Sequence, residues 1–353
     1  MANDTGLDDF GGLLNWERLN PWLDAHDAPG SGPVASVKKL KGGIQNNVFL
    51  LERGGAAFVL RRPSKHLRPD SNTSILREGR VLNALKGSAV PHPDVFAVCD
   101  DPEITGACFY IMSALEGFAP GGALPGAYAT NASWRAAMGG ELVTAAAALA
   151  AIDPAKAGLA DLGKPDDWHA RQVSRWRSQL DGYVKVSDQF DPRALPHIDE
   201  IGAWLSANIP RDRRIGLIHG DFQFANVMFS HKAPKISGVV DWELTTLGDP
   251  MLDLGWILTS WLEPGDPEGK KPLVTPWEDF TPRANLVRQY LALTSRDKNA
   301  VPWFFALACY KLACLLEGTY AASLAGKVPS EVGVSVHGYA TWLMGKAKQI
   351  AAI

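Results

Sequence analysis

Residues 217–229 read LIHGDFQFANVMF, and residues 236–243, which follow after six intervening residues, read ISGVVDWE. Each stretch sets polar side chains beside a short apolar run of the kind that forms a strand. These side chains are His219, Asp221, Asn226 and Asp241. The apolar runs predict two hairpin strands that return Asp241 beside Asn226, with the HGD tripeptide at the end of another strand.

This spacing suits the transfer of a phosphoryl group from a nucleotide to a hydroxyl. That reaction needs a carboxylate to orient the attacking hydroxyl, and an amide oxygen with a second carboxylate to hold magnesium on the phosphates. The pattern H-x-D-x4-N supplies Asp221 as the base, and Asn226 and Asp241 as ligands. Either piece alone has a simpler explanation, since HGD occurs by chance and an Asp often ends a strand. The joint spacing is what favours the catalytic interpretation.

The composition indicates an ordinary globular chain. The 353 residues are 46% apolar and 21% charged, with a formal net charge of -3, which allows two lobes with sizeable cores. No run of Lys or Arg marks a nucleic-acid-binding arm or a polybasic membrane anchor. The acidic start, MANDTGLDDF, lacks the pattern of a signal peptide.

The most apolar long run, 301–325, contains Lys311 and Glu317. A charged pair inside a membrane span is costly, so the run predicts a buried core helix. The four cysteines show neither CxxC spacing nor a nearby histidine pattern, which predicts reduced thiols without zinc or disulfides. We therefore expect a cytoplasmic protein that binds neither nucleic acid nor a membrane.

The first third of the chain predicts short strands separated by glycine pairs, with one helix over 74–85. The predicted strands are 34–40, 47–52, 57–61, 95–98 and 108–112. Beyond Gly117 helical patterns dominate, over 134–152, 167–184, 198–207, 285–293 and 301–324. The sequence thus predicts an α+β protein with a nucleotide-binding lobe over 1–112, a hinge over 113–117 and a catalytic lobe over 118–353.

The catalytic block resembles the aminoglycoside phosphotransferase family, whose members share the protein-kinase-like fold. Four segments are more closely similar to the kinase-like domains fused to some acyl-CoA dehydrogenases. They are FVLRRP (58–63), REGRVL (77–82), HGDFQFANVMF (219–229) and VVDWELTTLGDPMLDLGW (239–256). The resemblance covers nearly all the chain from near Asn20 and includes no dehydrogenase region. It implies a two-lobed fold, with a small antiparallel-sheet lobe carrying one helix and a larger, mainly helical lobe.

The resemblance also implies a role for the polar residues of the block. Asp221 is the catalytic base, and Asn226 and Asp241 bind magnesium. Glu243 stands where protein kinases carry the glycine of DFG, and it either adds a second metal ligand or faces solvent. His219 braces the loop and Asp253 is a scaffold residue in this interpretation. Helix capping is the simpler explanation for Asp253 and for Asp249, and it is the favoured one for Asp249.

Protein kinases place a glycine-rich loop over the nucleotide phosphates. The segment KLKGGIQNNVFLL (39–51) lies at that place between two predicted strands, although an ordinary hairpin turn would use its glycine pair equally well. The predicted contacts are Gly43, Gln45 and Asn46 to the phosphates and Val48 over the base.

Arg61 occupies the position of the kinase lysine that pairs with the phosphates and with a helix glutamate. Glu78 shares the apolar face of its helix with Ile75 and Leu82. An inward carboxylate needs a partner, so we predict an Arg61–Glu78 ion pair. The alternative is a Glu78 that reaches solvent from the edge of the apolar stripe. Arg62, on the opposite strand face, is the second choice for the lysine position.

The segment FYIMSALEG (109–117) fits the hinge between lobes. Backbone groups of Ser113, Ala114 and Leu115 are predicted to read the polar edge of the nucleotide base, and Val59 is predicted to wall its face. The alternative is a buried strand that leaves into an ordinary loop. The implied cofactors are ATP or GTP, with Mg²⁺.

The expected acceptor is a small hydroxylated molecule. Aminoglycosides are polycations and favour an acidic pocket, which the helical segments do not reveal, whereas the closer resemblance implies a hydroxy acid or a hydroxyacyl thioester. Arg171 and Arg175, one helical turn apart, either bind an anion together or form a solvated basic face. Other functions stay open: a regulatory nucleotide-binding pseudokinase, suggested by Arg61; a true aminoglycoside kinase; and a metallohydrolase using His219, Asp221 and Asp241. The oligomeric state is also left open.

Overall fold

The computed structural model describes residues 7–40, 46–270 and 272–353. It divides into two compact units, one of Met1–Gly117 with Ser237–Thr245 and one of Phe118–Ile236 with Thr246–Ile353. The sequence placed all of 118–353 in one lobe. In the structure, Ser237–Thr245 groups with the first unit instead.

The first unit contains a five-stranded antiparallel sheet in the order β1-β2-β3-β5-β4. Its strands are β1 (Ser36–Leu40), β2 (Asn46–Arg53), β3 (Ala56–Pro63), β4 (Val95–Cys99) and β5 (Phe109–Ser113). Its helices are α1 (Trp16–Ala25) and α2 (Ser71–Ala84), together with a one-turn 3₁₀ helix, Trp242–Leu244. The predicted strands all appear, and the predicted helix corresponds to α2.

The helix α1 corrects the expectation of a single helix in this unit. Asn15 caps its start by accepting a hydrogen bond from the Arg18 N–H, as an Asn at this position commonly does. Its buried residues are Trp16, Leu19, Trp22 and Leu23. The cap and this spacing are present in the sequence, but α1 is short and has Pro21 inside it, which weakens the helical pattern.

The two faces of the sheet have different partners because side chains alternate along a strand. Phe49, Leu51, Phe58 and Leu60 point to one face and join α1 in a buried cluster. The cross-strand pair of Val48 with Arg61 lies on the other face. There Arg61 meets Glu78 from α2, so the predicted nucleotide face is the one that α2 covers.

The second unit is mainly helical. Its helices are α3 (Gly126–Thr130), α4 (Ala132–Ala150), α5 (Trp168–Gly182), α6 (Ile198–Ala207), α7 (Met251–Ser260), α8 (Arg283–Thr294), α9 (Val301–Leu324) and α10 (Ser330–Ala351). Short strands interrupt them: β6 (Gly122–Ala123), β7 (Gly216–Ile218), β8 (Val227–Phe229), β9 (Ile236–Val239, which runs into the first unit), β10 (Thr246–Gly248) and β11 (Val274–Thr275). The strands pair as β7 with β10, β6 with β11 and β8 with β9. Periodicity in the sequence did not predict α3, α7 or α10, although the capping role expected of Asp249 implied a helix start at α7.

The predicted core helix is α9. The segment Lys298–Leu324 is long and apolar enough, by length and composition alone, to cross a membrane, and 72% of its apolar window is buried inside the protein. Lys311 and Glu317, the charges that argued against a membrane span, are themselves buried. These two charges therefore need polar partners inside the second unit.

Candidate active site

The catalytic loop, residues 219–226, begins where β7 ends. Its first two N–H groups, on His219 and Gly220, donate to the two carboxylate oxygens of Asp253 at 2.8 and 3.0 Å. Asp253 lies in the first turn of α7 and is fully buried, and burial raises its pKa although the His219 and Gly220 bonds oppose that shift. Asp253 therefore has the scaffold position that the sequence predicted.

Asp221 and Asn226 come together within this loop. The Asn226 amide nitrogen donates to Asp221 Oδ2 at 2.6 Å and to the Asp221 carbonyl at 2.9 Å. Gln223 Nε2 donates to the other carboxylate oxygen at 2.7 Å. Both oxygens of Asp221 are thus oriented, and the Asn226 amide presents its nitrogen to Asp221, so its oxygen points elsewhere. The sequence analysis did not single out Gln223.

His219 lies inside this loop, where the sequence analysis expected a bracing residue. Its side chain is buried, and its Nδ1 accepts the Asp221 N–H at 3.3 Å. The loop also contains Gly220 in the left-handed region, at φ +83°, which glycine adopts without strain. The polar groups around it hold this flexible residue in one conformation.

In the first unit, Arg61 bridges two predicted site carboxylates. Its Nε donates to Glu78 Oε2 at 3.0 Å, and its Nη2 donates to Asp241 Oδ1 at 2.8 Å. Burial works against the charge on Arg61, but the attraction of Glu78 and Asp241 outweighs it and raises the pKa of Arg61 above its ordinary value. The predicted Arg61–Glu78 pair is present, and the pairing with Asp241 was not foreseen.

Glu78 receives a second donor from the segment that carries Asp241. Its Oε1 accepts the Trp242 N–H at 3.2 Å. The side chain is buried, and burial raises the pKa of Glu78 while Arg61 opposes the shift. A Glu78 that reaches solvent, the alternative interpretation of the sequence, is therefore excluded.

Asp241 has a positive φ of +66° and precedes the one-turn helix Trp242–Leu244. Asp adopts this conformation more readily than most residues, because its short side chain bonds locally. Nearby, Glu243 Oε2 accepts a hydrogen bond from Asn46 Nδ2 at 3.3 Å. Asn46, predicted at the phosphates, thus lies beside Glu243, whereas Gly43 and Gln45 lie outside the described residues.

The hinge prediction needs one correction at Ser113. This residue is the last of β5 and pairs with Phe58. Its N–H donates to the Asp94 carbonyl at 2.8 Å, so that N–H has a partner and is removed from the candidate nucleotide contacts. Ala114 is exposed. Leu115 packs closely on Gly238, since a Cβ added to Gly238 would lie 2.4 Å from Leu115 Cδ1.

The remaining nucleotide-side predictions separate by sheet face. Val48 and Val59 lie on the same face as Arg61, since β2 pairs Val48 with Arg61 and Val59 is two residues away. Arg62 points to the other face, where its Nη1 donates to the carbonyls of Leu13 and Thr105. Burial lowers the pKa of Arg62 to about 10. Arg62 is therefore the wrong choice for the lysine position.

Asp249 does more than cap α7. It accepts the Met251 N–H at 3.1 Å, as a cap does, and it also pairs with Arg296 at 2.7 Å and with His169 at 2.9 Å. Burial alone would raise the pKa of Asp249, but the bonds from His169 and Arg296 lower it. This buried network joins α5, α7 and the start of the segment after α8, and nothing in the local sequence indicates it.

The predicted basic pair on α5 has two different environments. Arg171 donates to the Lys164 carbonyl at 2.6 Å, and Arg175 lies over the Trp176 ring at 4.9 Å.

Across the residues that the structure describes, no three His, Cys, Asp or Glu side chains form a group that could hold a metal ion. A metal in that part of the chain would need other oxygen donors, such as an amide or a phosphate.

The profile of the Phosphotransferase enzyme family matches residues 36–287. The acyl-CoA dehydrogenase family member 11 of Rattus norvegicus is 30% identical over 328 residues, which are 89% of this chain and 40% of that protein. A Ralstonia eutropha JMP134 structure assigned as an aminoglycoside phosphotransferase is 29% identical, with a TM-score of 0.78 over 96% of this chain and 98% of that one.

A ternary complex of streptomycin, ATP and the aminoglycoside phosphotransferase APH(2'')-IIa shares the fold, with a TM-score of 0.58, 16% identity and 99% of each chain covered. These likenesses confirm the predicted α+β, protein-kinase-like fold with a small antiparallel sheet and a larger helical part. The match spans less than half the length of the rat relative. From the match to its profile over residues 36–287, the chain belongs to the phosphotransferase enzyme family.

Proposed function

We propose that this chain is a cytoplasmic small-molecule kinase that transfers a phosphoryl group from ATP to a hydroxyl, with magnesium. The observation that carries the proposal is the oriented Asp221 carboxylate, whose oxygens accept from Gln223 and Asn226 at 2.7 and 2.6 Å. Family membership and the ATP bound by APH(2'')-IIa support the donor.

In the proposed reaction Asp221 accepts the proton of the acceptor hydroxyl on a carboxylate oxygen. Gln223 and Asn226 keep that carboxylate in one orientation, and alignment supplies much of the catalysis in phosphoryl transfer. His219 and Asp253 take no part in proton transfer and hold the backbone of the loop. Arg61, at the kinase lysine position, faces the nucleotide phosphates in this proposal.

Magnesium fits the donors proposed for it. Asn226 offers an amide oxygen, and Asp241 and Glu243 offer carboxylates, which are the hard oxygen ligands that this ion prefers. When bound, magnesium neutralises charge on the nucleotide phosphates. The carboxylate of Asp241 already has Arg61 on one oxygen and is 35% exposed, so it retains room for a cation.

For the acceptor we propose a hydroxy acid or a hydroxyacyl thioester. The support is the likeness to acyl-CoA dehydrogenase family member 11 over 89% of this chain. Streptomycin, present in the APH(2'')-IIa complex, makes aminoglycosides the competing acceptor class.

A regulatory pseudokinase is the second candidate function. One observation favours it: Arg61 has its Nε on Glu78 and its Nη2 on Asp241, so protein carboxylates already pair with two of the three guanidinium nitrogens. Two protein carboxylates already balance the single positive charge of Arg61, which weakens its attraction for a nucleotide phosphate.

The test is a screen of the purified protein with magnesium-ATP against hydroxy acids, hydroxyacyl thioesters, amino sugars and aminoglycosides. We expect acceptor-dependent ADP formation and a new phosphate ester in the ³¹P spectrum. Asp221→Asn should reduce turnover by about 10²–10⁴-fold, the usual contribution of a positioned base, with an unchanged unfolding midpoint. ATP binding without ADP formation for any acceptor would favour the pseudokinase.

Asp181→Asn is the matched control. Asp181 is an Asp in the same unit whose exposed side chain pairs with Arg177 one helical turn away. The substitution should leave turnover unchanged. An Asp221→Asn protein as active as Asp181→Asn would remove Asp221 from the mechanism.

A further inference from the structure

Lys311 lies in the middle of α9 and is 6% exposed. Its ammonium donates to the Gly220 carbonyl at 2.7 Å and lies between two indole rings, 5.2 Å from the centre of Trp176 and 5.0 Å from that of Trp256. The only role that the sequence analysis assigned to Lys311 was as a charge that argues against a membrane span. The structure instead places its charge on the catalytic loop.

A buried ammonium is expensive, because the protein interior replaces water poorly, at a cost of several kcal/mol per ion. Around Lys311 the charged groups are Asp221 of the loop, Asp253 of α7 and Arg175 of α5. Burial lowers the pKa of Lys311 to about 8, the two carboxylates oppose that shift and Arg175 adds to it. An apolar residue would fill this indole-lined position at lower cost, so the cation has a use other than stability.

The contact of Lys311 completes the restraint of one peptide group. The Gly220–Asp221 peptide has its carbonyl on Lys311 and its N–H on His219 Nδ1. The preceding N–H of Gly220 is held by Asp253. Fixing this peptide plane sets the rotation about both flanking bonds, and therefore the direction in which the Asp221 side chain leaves the backbone.

We propose that Lys311 is a positioning residue for phosphoryl transfer: by holding the Gly220 carbonyl it aims the Asp221 carboxylate at the acceptor hydroxyl. The inference rests on the proposed role of Asp221 as the base. It adds a cation from a helix 91 positions away in sequence to the apparatus of the loop. Lys311 acts through Gly220 and touches neither the nucleotide nor the acceptor.

The chain offers a matched control in Lys346. It is 1% exposed, lies near the rings of Phe305 and Trp342, and donates at 3.3 Å to the carbonyls of Leu258 and Thr259, near the end of α7. Lys311→Met and Lys346→Met each replace a buried ammonium by an apolar side chain of similar length. Only the first releases a carbonyl of the catalytic loop.

With the acceptor found in the screen, Lys311→Met should lower kcat by about 10–100-fold, the scale on which small misplacements act, while the KM for ATP stays within about twofold. Lys346→Met should keep the wild-type kcat.

The pH profile of kcat gives a second readout. In the wild type, kcat should fall as the pH rises through about 8, where Lys311 loses its proton. Lys311→Met should not show this fall. Equal kcat in Lys311→Met and the wild type would overturn the inference.

Hydrogen exchange over residues 217–229 gives a measurement that needs no turnover. Lys311→Met should accelerate exchange there and Lys346→Met should not. Lys311→Gln, which is too short to keep the same bond, should behave like Lys311→Met and serves if the Met variant does not fold. If the wild type transfers no phosphate the proposed function fails, but unchanged exchange in both Lys311 variants would separately refute the positioning role.

Discussion

At the scale of single residues, Arg61 shows how two carboxylates share one buried cation inside the first unit. Its guanidinium spans Glu78, which is 2% exposed, and Asp241, which is partly open to solvent. A planar fork suits two carboxylates at once, whereas a lysine ammonium is a point charge. The arginine at the predicted lysine position can therefore pair with Asp241 as well as with Glu78.

Arg61→Met should destabilise the protein by about 3–5 kcal/mol, because it leaves the buried Glu78 without its cation. The measurement is the free energy of unfolding from a urea titration followed by circular dichroism. Arg18→Met is the control, since Arg18 and Glu103 form an exposed pair with side chains 50% and 77% accessible, and such pairs contribute about 0–1 kcal/mol. Equal losses in the two variants would show that the buried cluster has no special stability.

The residues that could be predicted are those whose partner is implied by a local pattern. Glu78 on an apolar helix stripe demanded a cation, and Arg61 on the neighbouring strand supplied it. Lys311 also needed a polar partner, but that partner is a backbone carbonyl. Every residue has one, so the sequence does not show which carbonyl binds Lys311. The Ser113 N–H is excluded for a related reason, since it donates to a backbone partner, the Asp94 carbonyl, just before β4.

At the scale of elements, the missed helices α7 and α10 show the limit of periodicity. Nine of the ten residues of α7 are buried, from Met251 to Thr259, so no polar face reveals a helical period. The long helix α9 is equally apolar, but its length alone identifies it as a helix. The catalytic loop depends on α7 through Asp253, and this dependence could not be seen from the sequence pattern alone.

The close packing of α7 on α9 depends on Gly255. A Cβ at this position would lie 2.5 Å from the Phe304 carbonyl oxygen and 3.0 Å from the Ala308 Cβ. Gly255→Ala should therefore destabilise the protein by about 1–3 kcal/mol, as overpacking does, despite the better helix propensity of Ala. Gly182→Ala, in α5 with nothing within 4 Å of the added methyl group, should stabilise by up to about 1 kcal/mol. Urea midpoints that move in the same direction would contradict the close-packing argument.

At the scale of the whole molecule, chain order and compact units disagree over Ser237–Thr245. This segment carries two proposed metal ligands, Asp241 and Glu243, although its neighbours in sequence belong to the second unit. Its attachments within the first unit are specific: the Val239 N–H donates to the Pro91 carbonyl at 2.9 Å, and the Trp242 N–H donates to Glu78. A sequence-based domain boundary assumes continuous segments and therefore could not assign it.

Trp242 gives a test of this assignment in the full-length chain. Its indole is 2% exposed and donates to the Val239 carbonyl at 2.9 Å, so Trp242→Ala opens a cavity that costs about 3–5 kcal/mol. Hydrogen exchange followed by mass spectrometry should accelerate in α2 and β3, while β7 and β10, which pair with each other in the second unit, keep their wild-type rates. Trp256→Ala, which removes an equally buried indole from α7, should instead accelerate exchange in α7 and α9. If Trp242→Ala affected β7 and β10 and spared α2, the segment would belong energetically to the second unit, because local unfolding spreads through the cooperative unit that loses the contact.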